Sequence, residues 1–131
     1  IYNDQLRPLF ERNFVYYYRR QLDLGKMRQA ISLLIGTHDF KCFQAAGSTV
    51  TNTIRTIHFC RLEQNGPLIK FTINADGFLY HMVRNIVGSL VLIGNGKLLI
   101  EKFKAILEER DRTIAGPTAP AQGLCLEEVF Y

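Results

Sequence analysis

The sequence contains only three cysteines, and their spacing argues against two classes of protein. Cys42, Cys60 and Cys125 form no C-x-x-C pair, and their number is odd. Neither a disulfide framework nor a zinc knuckle is therefore supported. So few cysteines are typical of a reducing compartment, and we expect a cytoplasmic protein.

Long apolar runs are also missing from the sequence. The longest apolar stretch, residues 78–93, has 16 residues and is interrupted by His81, Arg84 and Asn85. Since a membrane-spanning helix needs about 20 apolar residues, the sequence predicts no membrane insertion. No secretory signal peptide opens the chain.

The common catalytic and cofactor motifs are absent as well. The chain has no P-loop, no dinucleotide-binding glycine fingerprint, no nucleophile elbow and no His/Cys spacing typical of a metal site. We therefore expect any chemistry to need neither a cofactor nor a metal.

The composition is that of an ordinary globular domain. The 131 residues are 47% hydrophobic and 21% charged, which fits one domain with its own core. The formal net charge of +4 is uneven, because residues 1–97 hold 12 basic and 6 acidic side chains and residues 98–131 hold 4 and 6. This excess is compatible with a polyanionic partner such as nucleic acid. Because the first residue is Ile and not Met, we expect a piece of a longer chain.

The first helix is predicted between an N-cap at Asp23 and an end at Gly36. Apolar residues at positions i, i+3, i+4 and i+7 give it one buried stripe, which consists of Met27, Ala30, Ile31 and Leu34. Residues 37–53 are rich in Gly, Ser, Thr and Asn and are predicted to be irregular.

A β-hairpin is predicted next. Residues 68–76 alternate strictly between apolar and polar side chains, which is typical of a half-buried strand. Residues 54–62 are the predicted partner strand, and Asn65-Gly66 is the predicted tight turn, since both residues tolerate a positive φ.

The alternation also predicts which hairpin side chains face the core. On the first strand these are Ile57 and Phe59. On the second strand, Phe71 and Ile73 are expected to be buried beneath the helix that contains Met82.

Two further helices are predicted, over residues 78–93 and 98–110, with residues 94–96 ending the first of them. The later helix has one apolar face, formed by Leu99, Phe103, Ile106 and Leu107. Residues 115–120 are predicted to be an ordered loop and residues 124–131 a final strand. This order of elements predicts an α+β fold, with helices packed on one face of an antiparallel sheet.

A polar stripe on the helix predicted at 78–93 is the most informative candidate for chemistry. His81, Arg84, Asn85 and Gly88 lie at positions i, i+3, i+4 and i+7 of an otherwise apolar helix. A buried guanidinium needs a partner, so Arg84 should meet a carboxylate, a phosphate or water. Gly88 allows a close approach to the helix. The alternative is that the stripe is simply the solvent side of the helix.

Three other segments each have a functional and a structural interpretation. Residues 16–20 place tyrosines beside two arginines, which suits base stacking and phosphate contact but also an edge strand with a basic end. His38 and Asp39 are adjacent, although sequence neighbours seldom face one another. Residues 112–124 form a stiff loop that either lines a pocket or only leads to the last strand.

Two segments resemble the motifs of one enzyme family. Residues 77–88, with the sequence GFLYHMVRNIVG, resemble the long helix motif of tRNA pseudouridine synthase A. Arg112 and residues 115–124, with the sequence AGPTAPAQGL, resemble the loop near that family's C-terminus. The resemblance implies an enzyme that isomerises uridine to pseudouridine at tRNA positions 38 to 40, in the anticodon stem-loop. It also implies tRNA as the partner, a homodimer, and no metal or cofactor.

The chain departs from the family pattern in one respect. The family's catalytic Asp lies in an Arg-Thr-Asp-Ala-Gly-Val-His run of the N-terminal half, and that run is absent. The similar run at residues 112–116 has Ile114 at the position of the carboxylate. We therefore expect residues 1–131 to be the C-terminal domain, to begin just after the family's active-site Tyr, and to be inactive alone.

The resemblance assigns roles to individual residues. Arg84 matches the active-site Arg that pairs with the catalytic Asp, and Leu124 matches an apolar residue that lines the pocket of the target base. His81 and Asn85 are expected to bind substrate or support the site from the same helix face. The candidates for RNA phosphate contact are Arg19, Arg20, Lys41, Arg55 and Lys70. An RNA-binding module without chemistry and a dimerisation domain remain as alternatives.

Overall fold

The computed structural model describes five segments of the chain, residues 1–3, 16–44, 52–79, 81–109 and 118–124. Several predictions lie wholly or partly outside them. These are residues 45–51 of the part predicted to be irregular, residue 110 of the last predicted helix, residues 112–117 of the predicted loop and the final strand from residue 125 onward.

A five-stranded sheet forms one layer of the domain. Its strands are β1 (Tyr2–Asn3), β2 (Tyr17–Tyr18), β3 (Gly36–Asp39), β4 (Ile54–Asn65) and β5 (Leu68–Ala75). They lie side by side in the order β2-β1-β5-β4-β3. All neighbouring strands are antiparallel except β1 and β2, which are parallel.

Three α-helices form the second layer: α1 (Leu24–Ser32), α2 (Met82–Gly94) and α3 (Ile100–Glu109). Helix α1 packs against α2, α3 and strand β4, while α3 also contacts β3. The buried core lies between these helices and the sheet, and Phe40, Phe43 and Phe103 are its largest members. The predicted α+β fold is confirmed. None of the helices in the segments described here is long and apolar enough to cross a membrane.

The β4–β5 hairpin forms where the alternation predicted it, but its turn lies one residue later than expected. Asn65 is the last residue of β4 and pairs with Leu68, so Gly66 and Pro67 are the two loop residues. Gly66 has φ +58, a conformation that glycine adopts at no steric cost. The proline favours this register because it has no N–H to offer a strand ladder.

A β-bulge overturns the predicted orientation of Phe59. Ile57 pairs with Ala75 and Phe59 pairs with Asn74, so His58 is an extra residue in β4. One extra residue reverses the in–out alternation that follows it. Ile57 is therefore buried as predicted, whereas Phe59 is exposed on the other face of the sheet, where the guanidinium of Arg61 lies 5.1 Å from its ring centre.

The strand opposite Phe59 is less deeply buried than the alternation predicts. Phe71 and Ile73 are half-buried and pack against the core, and the helix that packs on the hairpin is α1, through β4. Both side chains are therefore less buried than predicted, and their cover by the helix around Met82 stays a prediction.

Helix α1 begins as predicted. The Asp23 carboxylate accepts a hydrogen bond of 3.2 Å from the backbone N–H of Lys26, and the predicted apolar stripe is buried. The helix ends at Ser32, earlier than Gly36, which has φ +105 and begins strand β3 instead. The prediction of irregular structure is wrong for residues 37–39, because pairing of β3 with β4 outweighs the local composition. A short 3-10 helix, Lys41–Phe43, follows the strand.

Helix α2 begins four residues later than the apolar pattern predicts, and α3 begins two residues later. His81 has φ +58, and a left-handed residue interrupts the right-handed helical path, so α2 can only begin at Met82. Leu99 precedes α3 and is 62% exposed, which contradicts its predicted place on the buried face. Its carbonyl accepts the first helical hydrogen bond, from Phe103.

Gly94 allows α1 and α2 to pack closely, and this generates a stability prediction. A Cβ at position 94 would lie 2.8 Å from Met27 Sδ and 3.1 Å from Leu22 Cδ2. We expect Gly94→Ala to lower the free energy of unfolding by about 1–3 kcal/mol, because overpacking outweighs the better helix propensity of alanine. Denaturant unfolding measures this change.

A double-mutant cycle supplies the control. In a Met27→Ala background the space for the new methyl group is open, so Gly94→Ala should cost less. An equal cost in both backgrounds would contradict the packing argument.

Candidate active site

Arg84 projects from the first turn of α2, and two groups hold its guanidinium. Its Nε donates a hydrogen bond of 2.8 Å to the carbonyl oxygen of Ala119, and its Nη1 lies 3.1 Å from Nε2 of His81. Because a guanidinium can only donate, Nε2 of His81 must accept in this contact. The imidazole is then the neutral tautomer with its proton on Nδ1.

The left-handed backbone of His81 produces this contact. His81 immediately precedes α2, and its backbone carbonyl accepts a hydrogen bond from the N–H of Asn85. A non-glycine residue in this conformation carries some strain, and such residues are concentrated at functional sites. The strained turn brings the imidazole back toward the Arg84 side chain.

The segment 118–120 is docked on α2 by a reciprocal pair of hydrogen bonds. The Ala119 N–H donates to the carbonyl oxygen of Arg84 at 3.0 Å, while the Ala119 carbonyl accepts from the Arg84 side chain. Ala119 is only 5% exposed, although the residues on either side of it are exposed. This segment therefore forms one wall of the site.

Asn85 is fully buried beside Arg84 and connects three elements. Its Nδ2 donates a hydrogen bond of 2.6 Å to the carbonyl of Phe43, and its Oδ1 accepts from the hydroxyl of Thr118. A side chain without exposed surface does not reach a bound substrate. Of the two roles expected for Asn85, the geometry therefore favours support of the site over substrate binding.

The polar stripe of α2 does not face solvent. Asn85 and Gly88 are buried, and His81 and Arg84 are half-buried. The stripe instead faces the 118–120 segment and the turn at Lys41–Phe43. The interpretation of the stripe as a solvated helix face is therefore wrong.

The guanidinium retains capacity for an anion. Within the five described segments, no carboxylate lies within 4.0 Å of Arg84, and its Nη2 has no hydrogen-bond partner. A half-buried guanidinium keeps its proton, so this edge favours contact with a carboxylate, a phosphate or water. The predicted need of Arg84 for a partner is met in part by the carbonyl of Ala119.

Leu124 follows directly on the short 3-10 turn Ala121–Gly123 and is 53% exposed. Its N–H donates to the carbonyl of Ala121 at 2.9 Å, which holds its backbone in place. An exposed leucine five residues beyond Ala119 is available to contact an apolar ligand face.

The five predicted phosphate contacts do not form one cluster. Arg19 and Arg20 follow the edge strand β2 and are exposed, whereas Lys41 is exposed just after the opposite edge strand, β3. Lys70 is exposed on the central strand β5. These four side chains are accessible from solvent but lie on different parts of the sheet.

Arg55 differs from the other four, because its guanidinium is held by the protein. Its Nη1 donates to the carbonyls of Asn52 at 2.8 Å and Ile54 at 2.7 Å. Its Nε lies against the backbone of Gly77, where an added Cβ would be 3.4 Å away. Arg55 thus binds the backbone at the start of β4 and lies beside Gly77, and only part of its surface is accessible.

His38 and Asp39 do not form a catalytic pair. His38 Nε2 contacts the carbonyl of Ile35 at 3.1 Å, while the Asp39 carboxylate accepts from the Thr53 hydroxyl and the Lys41 N–H. These three contacts hold the backbone and a neighbouring side chain, as the structural interpretation of this pair predicts.

The cysteines and possible metal ligands add no reactive centre in the described part of the chain. Burial raises the pKa of the Cys60 thiol to about 11, so it stays protonated and a poor nucleophile near neutral pH. No group of three or more His, Cys, Asp or Glu side chains in the described segments is arranged to hold a metal ion.

Two parts of the site were not found from the sequence. The carbonyls of Ala119 and Phe43 bind Arg84 and Asn85, and a backbone carbonyl carries no sequence signal. Thr118 lies in the loop predicted to line a pocket, but its pairing with Asn85 depends on tertiary structure.

Comparison with known proteins identifies the family. The family model described as tRNA pseudouridine synthase matches residues 30–131. The tRNA pseudouridine synthase A of Moorella thermoacetica is 50% identical over 131 residues, which are 100% of this chain and 53% of that protein. The protein of the same name from Clostridium kluyveri is 49% identical over 124 residues, covering 95% of this chain and 51% of that protein.

The fold and the site define a class of protein: an α+β domain in which an arginine is held at the start of a helix. The chain belongs to the tRNA pseudouridine synthase family, since a match of this extent is far beyond a shared fold. It spans about half the length of the curated relatives that it matches.

Proposed function

We propose that this chain is the C-terminal, arginine-bearing half of an enzyme that isomerises uridine to pseudouridine in tRNA. The observation that carries the proposal is the guanidinium of Arg84, held on one side by Ala119 and His81 and available on another. The reaction is proposed from membership of the family, and the role of Arg84 is proposed from the geometry of its contacts.

The reaction breaks the bond between N1 of the base and C1′ of the ribose and joins C5 of the rotated base to C1′. The proton lost from C5 is balanced by the proton gained at N1, so no oxidant, reductant or cofactor is consumed. A carboxylate either attacks C1′ or removes a proton from the sugar, and neither route is favoured by the residues described here.

Arg84 is proposed to hold that carboxylate, which comes from the half of the enzyme that this chain lacks. A guanidinium within hydrogen-bond distance lowers the pKa of a carboxyl group, so the group stays ionised and ready to react. The planar fork of the guanidinium also sets the orientation of the carboxylate. Leu124, exposed at the end of its turn, is proposed to pack against the target base.

Substrate and assembly are proposed from the same family relationship. We expect the target uridines at positions 38 to 40 of the anticodon stem-loop, a homodimer, and the cytoplasm as the compartment, where tRNA is found. The exposed Arg19, Arg20, Lys41 and Lys70 are candidates for phosphate contact. Arg55 contributes less, because the protein already holds it.

An RNA-binding module without chemistry is the second candidate. The positive charge of residues 1–97 and the exposed basic side chains favour it, and a steep salt dependence of RNA binding is common to both candidates. Only turnover distinguishes them, so the tests that follow measure turnover.

The chain alone should not form pseudouridine. None of its carboxylates lies in the family's catalytic run, and positioning by Arg84 cannot replace the missing group. We expect no product from the purified 131-residue chain, measured by mass spectrometry of digested tRNA. A chimera in which this chain replaces the matching segment of the Moorella thermoacetica relative should form product.

Two outcomes would contradict this expectation. Turnover by the chain alone, free of host enzyme, would show that it contains its own catalytic group. A folded chimera without any turnover would favour the RNA-binding module.

Substitutions of Arg84 in the chimera test its proposed role. Arg84→Met removes the charge and should lower kcat/KM by about 10² to 10³, the range found when a positioned electrostatic donor is removed. Arg84→Lys keeps the charge but loses the fork, so we expect an intermediate loss. Turnover on tRNA and a melting curve are measured for each variant.

Arg28→Met is the matched control. Arg28 also donates from its guanidinium to a backbone carbonyl, that of Leu62, through Nε and Nη2. It should lower the melting temperature about as much as Arg84→Met does but leave turnover unchanged. Near-normal turnover of Arg84→Met would remove Arg84 from the active site.

A further inference from the structure

The orientation of the buried Asn85 amide is determined by its neighbours. The carbonyl oxygen of Phe43 can only accept, so the Asn85 group 2.6 Å from it must be the NH₂. The amide oxygen then faces Thr118, whose hydroxyl must donate. Both the oxygen and the nitrogen of the Asn85 amide are thus hydrogen-bonded, and the Asn85 side chain has no exposed surface.

These contacts form a continuous path to the Arg84 side chain. The Phe43 carbonyl holds the Asn85 amide, the amide holds the Thr118 hydroxyl, and the next residue, Ala119, presents its carbonyl to Nε of Arg84. Thr118 itself is exposed, but its hydroxyl reaches inward and joins the 118–120 segment to the buried amide of α2.

We infer that Asn85 and Thr118 together position Arg84, because their hydrogen bond sets the place of the Ala119 carbonyl that holds the guanidinium. Asn85 is a positioning residue and does not touch substrate. The inference deepens the proposed function and rests on it for its effect on turnover. Whether the hydrogen bond between Thr118 and Asn85 holds Arg84 in place can be measured without any substrate.

Loss of the Thr118 hydroxyl is expected to change the position of the guanidinium rather than the stability of the domain. Without the Thr118 hydroxyl, the segment remains attached to α2 through the two bonds between Ala119 and Arg84. The guanidinium then moves with the loop instead of being held against the helix. A misplacement of about 1 Å in a catalytic site is enough to lower the rate by about 100-fold.

The test compares Thr118→Val with Thr118→Ser. Valine has the shape of threonine but cannot donate, whereas serine keeps the hydroxyl and should restore the link. Because Thr118 is exposed, neither change should prevent folding, and a melting curve checks this. The matched control is Thr37→Val, which removes a side-chain hydrogen bond of 2.8 Å to Thr56 on an exposed part of the sheet.

Two readouts are taken for each variant. Nitrogen-15 NMR measures the exchange rate of the Arg84 Nε–H with water in the 131-residue chain. We expect Thr118→Val to speed this exchange severalfold, with wild-type rates in Thr118→Ser and Thr37→Val. Steady-state kinetics of the chimera should show a loss of about tenfold or more in kcat for Thr118→Val, with the KM for tRNA unchanged.

The outcomes separate the two claims. Unchanged Nε–H exchange in Thr118→Val would overturn the positioning role whatever the activity. Faster exchange with unchanged kcat in an active chimera would also overturn it, because the link would then be structural only. Faster exchange in the variant, together with a chimera that has no turnover at all, would support the link and contradict the proposed function.

Discussion

A guanidinium that is half removed from water must find hydrogen-bond acceptors, because it cannot lose its proton. In helix α2 that requirement falls on Arg84, which lies in the first turn and is the one charged residue of this helix. The carbonyl of Ala119 and the imidazole of His81 satisfy part of it. We attribute these contacts to three features, which are the left-handed turn before α2, the docking of the 118–120 segment and the buried amide of Asn85.

The general architecture could be predicted from the sequence, because it follows from periodicity. The stripe of α1 is confirmed by burial, the cap at Asp23 by a hydrogen bond, and the β4–β5 hairpin by its strand pairing, although the burial of β5 alternates only over residues 68–70. Such patterns depend only on residues that are close to one another in the sequence. Arg84 could be singled out for the same reason, as a charge on an apolar helix.

Two of the errors arose where a single residue breaks the period. The bulge at His58 turns Phe59 outward, and the positive φ of His81 delays the start of α2. Neither has a composition signal, since His is not a residue that the pattern marks as a breaker. The contacts of the site with the carbonyls of Phe43 and Ala119 could not be predicted either, because they join segments distant in sequence.

Within the described segments no carboxylate meets Arg84, and the chain spans about half the length of its relatives. The relatives are about twice as long as this chain, and we propose that their remaining half supplies the carboxylate. In this account the arginine half is pre-organised by its own hydrogen bonds and receives the reacting group from elsewhere. Pre-organisation of this kind lowers the cost of assembling a catalytic pair.

A crystal structure of the chimera with the Moorella thermoacetica relative tests the central claim most directly. The measured quantity is the distance from the Arg84 Nη atoms to the nearest carboxylate oxygen of the other half. The account predicts about 3 Å, the length of a charge-assisted hydrogen bond, with the Ala119 contact retained. An Arg84 side chain that faces solvent, with every carboxylate beyond ion-pair distance, would contradict it.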